Sequence, residues 1–332
     1  MLTRRQMLAG AVPVGIAAVG VGGVLGSGGA PAGGPGVSAG ATLAARVIEG
    51  IYPAPALHWV GNGFRVAGYF SSIAEAAQKL DPFLLLYYHP PTEYAPSERP
   101  RGVGVHPHRG FETVTLAWQG SVAHHDSTGA GGIIGPGDVQ WMTAASGILH
   151  KEYHQDEFRR RGGTFHMAQL WVNLPRALKM APPRYQPIVA GQMGALTLAD
   201  GAGTVRVIAG EMGGVRGPAQ THTPIRILDA RLKPAGRMAM SFPAKETTAV
   251  LVMSGEIAVQ DRTARSNDLV LFGDSGEQID IVAGAETQLL VLNGEKIGEP
   301  VVQHGPFVMN TREEIGAAYQ DLRSGKFGYL ED

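Results

Sequence analysis

The stretch VHPHRGFETVTLAWQGSVAHHDSTG, residues 105–129, carries the two patterns that decide how the chain folds. From Gly110 to Gly120 apolar and polar residues alternate, the period of a strand with one buried face. Gly120 ends that run, VAHHD follows, and Asp126-Ser127-Thr128-Gly129 is a turn built from residues that bend the backbone. Ahead of the alternation stand His106 and His108. On an extended chain residues i and i+2 share a face, so both imidazoles can reach one ion.

The same short-strand pattern extends in both directions. PFLLLYYH (82–89), GDVQWMT (137–143) and FHMAQLWVNLP (165–175) read as strands. From about residue 186 a second block offers RVIAG, PIRILDARLKP, TTAVLVMSGEIAVQ, DLVLFG and TQLLVLNGE. VMSGEIAVQ sits in its block as AWQGSVAHH sits in the first, and NDLVLFG echoes GDVQWMT. The expected fold class is therefore all-β, two β-barrels in tandem. The 47 glycines and 22 prolines suit many turns, and 332 residues exceed one ordinary core. TREEIGAAYQDLRSGKF (311–327) reads as a C-terminal helix capped by Thr311 with Glu314 three residues on. The boundaries expected are a leader over 1–32, a linker and lead-in over 33–57, a first barrel over 58–185 and a second over 186–332.

The leader reading rests on Arg4-Arg5, a Gly/Ala/Val-rich run, and no acidic residue before Glu49. TRRQML resembles the twin-arginine export motif, with Ala30-Pro31-Ala32 as the cut site. A periplasmic or secreted protein is expected, with no stable membrane association after cleavage. A net charge of -1 gives no electrostatic grip on nucleic acid, and a monomer is expected. With no cysteine, disulfides and thiolate metal sites are excluded, so any metal must be held by His, Asp or Glu.

ILHKEYH supplies a second i, i+2 pair, His150 and Glu152. Three neutral imidazoles and a carboxylate suit one divalent transition metal, with two positions of a six-coordinate ion left for substrate and O2. Glu112, three residues past His108, competes with Glu152 for the fourth place. His124 and His125 adjoin on a strand and point to opposite faces, so one can lie close behind the site. Arg109 can hold a carboxylate near the site or pair at the surface. His154 precedes QDEFRRRGG, which reads as a solvated loop, and is expected at the surface. His89 and His166 have no paired neighbour and are given no role. Phe111, Trp141 and Met142 are assigned to the core. The second block has His222 and His304 but no H-x-H pair, so metal chemistry is expected in the first block alone.

HWVGNGF (58–64), RPRGVGVHPHRGFETVT (99–115), GPGDVQWMTAASGILHKE (135–152), QLWVNLP (169–175), THTPIRILDARL (221–232) and GEPVVQHGPFVMNTREEI (298–315) resemble the pirin family. The resemblance spans about residues 58–330. It implies two cupin barrels, a bicupin, with one metal ion in the N-terminal barrel held by His106, His108, His150 and Glu152. It favours Glu152 over Glu112 as ligand. The implied ion is Fe2+, with Mn, Co, Ni or Cu as alternatives. Pirins that are enzymes resemble quercetin 2,3-dioxygenase, which opens a flavonol ring with O2, and Glu152 would then be ligand and general base. Others act as iron-dependent redox sensors or regulatory binding proteins. Fold and metal do not choose between these.

Overall fold

The computed structural model describes residues 43–73 and 75–332. The expected leader over 1–32 and the linker up to residue 42 lie outside them. Among the described residues no helix is long and apolar enough to cross a membrane.

In chain order the first half supplies β1 (Ile48–Tyr52), β2 (His58–Val60), β3 (Phe64–Gly68), β4 (Phe83–Tyr94), β5 (Gly102–His108), β6 (Phe111–Gln119), β7 (Val122–Asp126), β8 (Gly131–Ile134), β9 (Val139–Thr143), β10 (Ile148–His154), β11 (Gly163–Asn173) and β12 (Arg184–Ile188). The second half supplies β13 (Gly194–Thr197), β14 (Gly203–Ala209), β15 (Glu211–Met212), β16 (Val215–Arg216), β17 (Ile225–Leu232), β18 (Arg237–Ser241), β19 (Thr247–Ser254), β20 (Glu256–Val259), β21 (Arg262–Arg265), β22 (Leu269–Phe272), β23 (Gln278–Ala283), β24 (Thr287–Gly294), β25 (Val302–His304) and β26 (Phe307–Met309). Helices α1 (Ala76–Lys79), α2 (Asp156–Arg161) and α3 (Arg312–Arg323) complete the set.

The two halves repeat one another strand for strand. A seven-stranded sheet, β12-β9-β6-β11-β4-β3-β2, faces a four-stranded sheet, β5-β10-β7-β8. The second half has the same arrangement, β1-β22-β19-β24-β17-β14-β13 against β18-β23-β20-β21. This is the tandem-barrel, all-β architecture that the alternating runs imply.

The two seven-stranded sheets pack against each other. One core joins Leu86, Val114, Leu116, Trp118, Trp141 and Leu170 of the first barrel to Ile208, Ile227, Leu251, Leu269, Leu290 and Leu292 of the second. Because side chains alternate along a strand, Val114, Leu116 and Trp118 of β6 enter this contact. Thr113 and Thr115, one residue out of phase, face the inside of the first barrel. The inside of the second barrel is filled by apolar side chains such as Val207, Leu228, Met238, Met240, Val250, Ile279 and Ile281.

One of the two edge strands of each seven-stranded sheet is supplied by the segment that leads into the other barrel. β1 leads into the first barrel, yet pairs antiparallel with β22 of the second, Ile51 opposite Val270. β12 leads into the second barrel, yet pairs with β9 of the first, Gln186 opposite Trp141. The lead-in before residue 57 therefore belongs in part to the second barrel, and the first barrel reaches past residue 185 to Ile188. Local periodicity cannot show this, because the partner strands lie far off in sequence. Arg46 fastens the arm ahead of β1. It is buried, and its guanidinium donates to the carbonyls of Phe242, Pro243, Ala244, Glu246 and Gly273.

The C-terminal segment returns to the first barrel. Buried Lys179 donates to the carbonyls of Gly110 and Val308 and to Oδ1 of Asn173, tying the β25–β26 hairpin to the turn before β6. Gly110 has φ +90°, and a Cβ there would lie 1.9 Å from the Val308 carbonyl oxygen. Helix α3 has the capping box read from Thr311 and Glu314. Two expectations are corrected beside it. QDEFRRRGG is not a loop: Gln155 caps α2, and Arg159 is buried, donating to the Ser97 carbonyl. His154 is not at the surface but 1% exposed, stacked on Phe165 and bonded to the Gly63 carbonyl.

Replacing Arg46 by Met leaves five carbonyls without their donor. It should cost roughly 2–4 kcal/mol of unfolding free energy. The measurement is a urea titration; an unchanged midpoint would show that the arm is not held by this side chain.

Candidate metal centre

His106 and His108 lie on β5, and His150 and Glu152 on the adjacent β10, where His150 pairs directly with His106. The i, i+2 spacing turns each pair inward, as the burial of Ile148, His150, Glu152 and His154 along β10 shows. The ring centroids of His106, His108 and His150 lie 4.2–4.8 Å apart. One ring nitrogen from each lies within 4.8 Å of the others, and His124, His150 and Glu152 form a second such group sharing His150. All four expected ligands thus converge inside the first barrel, around His150.

The protonation states suit a cation. Burial lowers the pKa of His106, while the Gly104 carbonyl and Glu152 pull it back up. Burial, reinforced by the neighbouring imidazoles, holds His108 and His150 well below the ordinary histidine value. Neutral rings are what metal coordination requires. His106 Nδ1 meets the Gly104 carbonyl at 2.8 Å, which leaves Nε2 free. His150 Nε2 is buried and has no hydrogen-bond partner. A buried ring nitrogen without a partner is costly unless something binds it, so the residues fit a metal ion.

Glu152 is 4% exposed and lies among donors. Its Oε1 accepts from Gln140 Nε2 at 2.8 Å and from Thr115 Oγ1 at 3.2 Å, and Oε2 accepts from Gln169 Nε2 at 2.8 Å. Three of roughly four lone-pair directions are filled, and one on Oε2 remains for a cation or a proton. Thr115, Gln140 and Gln169 were not singled out from the sequence. Each is a polar residue flanked by apolar ones on its strand, and β6 Thr115 pairs with both Gln140 of β9 and Gln169 of β11. That interruption was the available signal; the pairing register was not. An apolar wall stands beside His108, formed by Phe111 at 5.1 Å and Trp171 at 5.2 Å, with Val308 of the C-terminal hairpin behind.

The other candidates fall differently. His124 is buried against the centre, stacked on Tyr185 and within 3.4 Å of His150 Nδ1, whereas His125 is exposed. Arg109 points away from the histidines. Its guanidinium bonds the Ser146 carbonyl and Asp321 of α3 and lies over Phe327, so it docks the C-terminal helix and does not support the centre. Glu112 is also corrected. It lies on the β6 face opposite Thr115, between the barrels, where it accepts from Thr143 Oγ1 at 2.6 Å and His222 stands 3.9 Å away. Phe111 lines the wall, while Trp141 lies in the inter-barrel core. His89 and His166 are buried; His166 bonds the Tyr88 hydroxyl and lies beside Trp118.

In the second barrel the strands equivalent to β5 and β10 are β18 and β23. Their inward residues are Met238 and Met240, paired with Ile281 and Ile279. Apolar side chains thus occupy the places where the first barrel carries its histidines and glutamate.

Residues 63–172 match the family model described as pirin, and residues 227–328 match that of the pirin C-terminal cupin domain. A Pseudomonas aeruginosa protein provisionally named a quercetin 2,3-dioxygenase is 51% identical over 282 residues, 85% of this chain and 98% of its own length. Human pirin is 38% identical over 258 residues, covering 76% of this chain and 84% of that protein. A crystal structure of a quercetin 2,3-dioxygenase from Acinetobacter baumannii is similar with a TM-score of 0.83 at 43% identity, over 87% of this chain and 100% of the other.

Burial raises the pKa of Glu112 from 4.5 to about 7. Folding therefore favours its protonated form, a contribution present below pH 4.5 and lost as pH rises through 7. Glu112→Gln should raise stability at pH 8 by up to about 3 kcal/mol and change little at pH 4. Thermal unfolding at the two pH values checks this; an equal shift at both would rule the ionisation out.

Proposed function

The chain belongs to the pirin family, and on that basis we propose that it is a metal-dependent dioxygenase that opens the ring of a flavonol such as quercetin, or of a similar enolisable aromatic, with O2. The observation that carries this reading is the cluster of His106, His108 and His150, with Glu152 grouped beside His150, next to the Phe111–Trp171 wall. The relatives named as quercetin 2,3-dioxygenases support it, since they match nearly their full lengths.

His106, His108, His150 and Glu152 would hold the ion. A bound divalent ion supplies Lewis-acid stabilisation of a deprotonated hydroxyl oxygen and a redox partner for O2. Fe2+ is our expectation, with Mn, Co, Ni and Cu as alternatives. The remaining work falls to the chain. The Phe111 and Trp171 rings offer a flat apolar surface for a planar substrate and keep water from His108. Because only one lone pair of Glu152 Oε2 is open, the carboxylate would accept the proton of the substrate's acidic hydroxyl by giving up its place as a ligand, so that it alternates between ligand and base. Gln140, Gln169 and Thr115 hold that carboxylate in one orientation while it changes protonation state. Export through the twin-arginine route would fit, because that route carries folded chains and a metal could be loaded before export.

Iron-loaded protein given quercetin in air should consume the flavonol and release carbon monoxide. Glu152→Gln should lower the rate by about 10²- to 10⁴-fold. Absence of turnover with Fe, Mn, Co, Ni and Cu alike would overturn the proposal.

A further inference from the structure

We infer that Asp126 and His124 act as positioning residues that fix which nitrogen of His150 is presented to the cation. One chain of hydrogen bonds, whose two ends can only accept, links them to Glu152. At one end is the carboxylate of Glu152, which receives Gln140 Nε2 at 2.8 Å. The Tyr185 hydroxyl donates to Gln140 Oε1 at 3.3 Å, so the orientation of that amide is set from both sides. The same Nε2 has a second hydrogen and lies 3.3 Å from His124 Nδ1. His124 Nδ1 must therefore offer a lone pair, which puts the ring proton on Nε2. There the other end of the chain accepts it, Asp126 Oδ2 at 3.2 Å.

His150 faces the same lone pair. Its Nδ1 lies 3.4 Å from His124 Nδ1, which Gln140 and His150 share as a three-centre acceptor, so Nδ1 of His150 carries the proton and Nε2 does not. Nε2 is the buried nitrogen without a partner. Asp126 thus acts through two imidazoles in series, a longer form of the carboxylate–histidine pairing that orients metal ligands. Asp126 is itself fixed, because its Oδ1 accepts from both the amide and the hydroxyl of Thr128 at 2.8 and 2.6 Å. His124 stacks on Tyr185 at 5.0 Å and 14°, which holds its ring plane.

This inference rests on the metal-dependent reading above only in that a cation binds; its test reads proton position and affinity, not turnover. Nitrogen-15 NMR of the metal-free full chain should place the His150 proton on Nδ1 and the His124 proton on Nε2. In Asp126→Asn the Thr128 donors keep the carbonyl oxygen on their side, so an NH2 group faces His124 instead of Oδ2. That reverses both rings and moves the His150 proton to Nε2, where it blocks the cation. Co2+ titrated against a competing chelator should then bind about 10- to 100-fold more weakly, with the His150 nitrogen signals exchanged. His124→Phe keeps the stacking, removes the acceptor, and should weaken Co2+ binding by a similar factor without the exchanged signals. Wild-type His150 protonated on Nε2, or unchanged Co2+ affinity in Asp126→Asn, would overturn the inference. If Asp126→Asn does not fold, the wild-type spectrum and His124→Phe decide the matter.

Discussion

Two seven-stranded sheets bury one face of each against the other, and the strand period of two then dictates what the opposite faces carry. Along β6 the residues committed to the inter-barrel core are Val114, Leu116 and Trp118, which leaves Thr113 and Thr115 for the interior of the first barrel. The same parity sends Trp141 to the core and Gln140 inward, and Leu170 to the core and Gln169 inward. The centre can be polar because the apolar requirement of these strands is met on their other side. The second barrel needs no such division. Its interior is filled by Met238, Met240, Ile279 and Ile281, so it serves as a solid counterpart against which the first is braced.

A dry polar cluster is stable only when nearly every member is partnered. Glu152, Gln140, Gln169, Thr115, His124 and Asp126 satisfy one another across β6, β7, β9, β10 and β11. Each strand contributes one or two groups, so the cluster depends on the register of the whole barrel. Against that background the ring nitrogens His150 Nε2 and His108 Nδ1 stand out, buried in the same centre and without a hydrogen-bond partner.

Much of the fold was legible because it is written in local period. The alternation of β6, the echo of VMSGEIAVQ and the capping box of Thr311 are all short-range signals. The H-x-H and H-x-E pairs were legible for the same reason, since i and i+2 share a face on any strand. What escaped depends on contacts between distant segments. β1 and β12 look like connectors until their partners β22 and β9 are known. Glu112 sits near His106 in sequence, but the Gly110 turn begins a new strand whose phase carries it to the far side of the sheet. The charged residues after His154 suggest the surface, although its own strand parity points inward with Glu152. Asp126 reads as the first residue of a turn; it shares a face with His124 two residues before it, but that this pair stands beside His150 emerges only when β7 lies against β10.

The exchanged outer strands set an order of events during synthesis. β1 is made first, yet its pairing edge, Leu269–Phe272, leaves the ribosome more than two hundred residues later. The carbonyls that Arg46 grips, at Phe242, Pro243, Ala244, Glu246 and Gly273, are likewise made only some two hundred residues after it. The molecule is therefore finished only after nearly the whole chain has been released. Any leader carried ahead of residue 43 stays attached to an unplaced strand for that interval, so the native state itself reports that translation is complete.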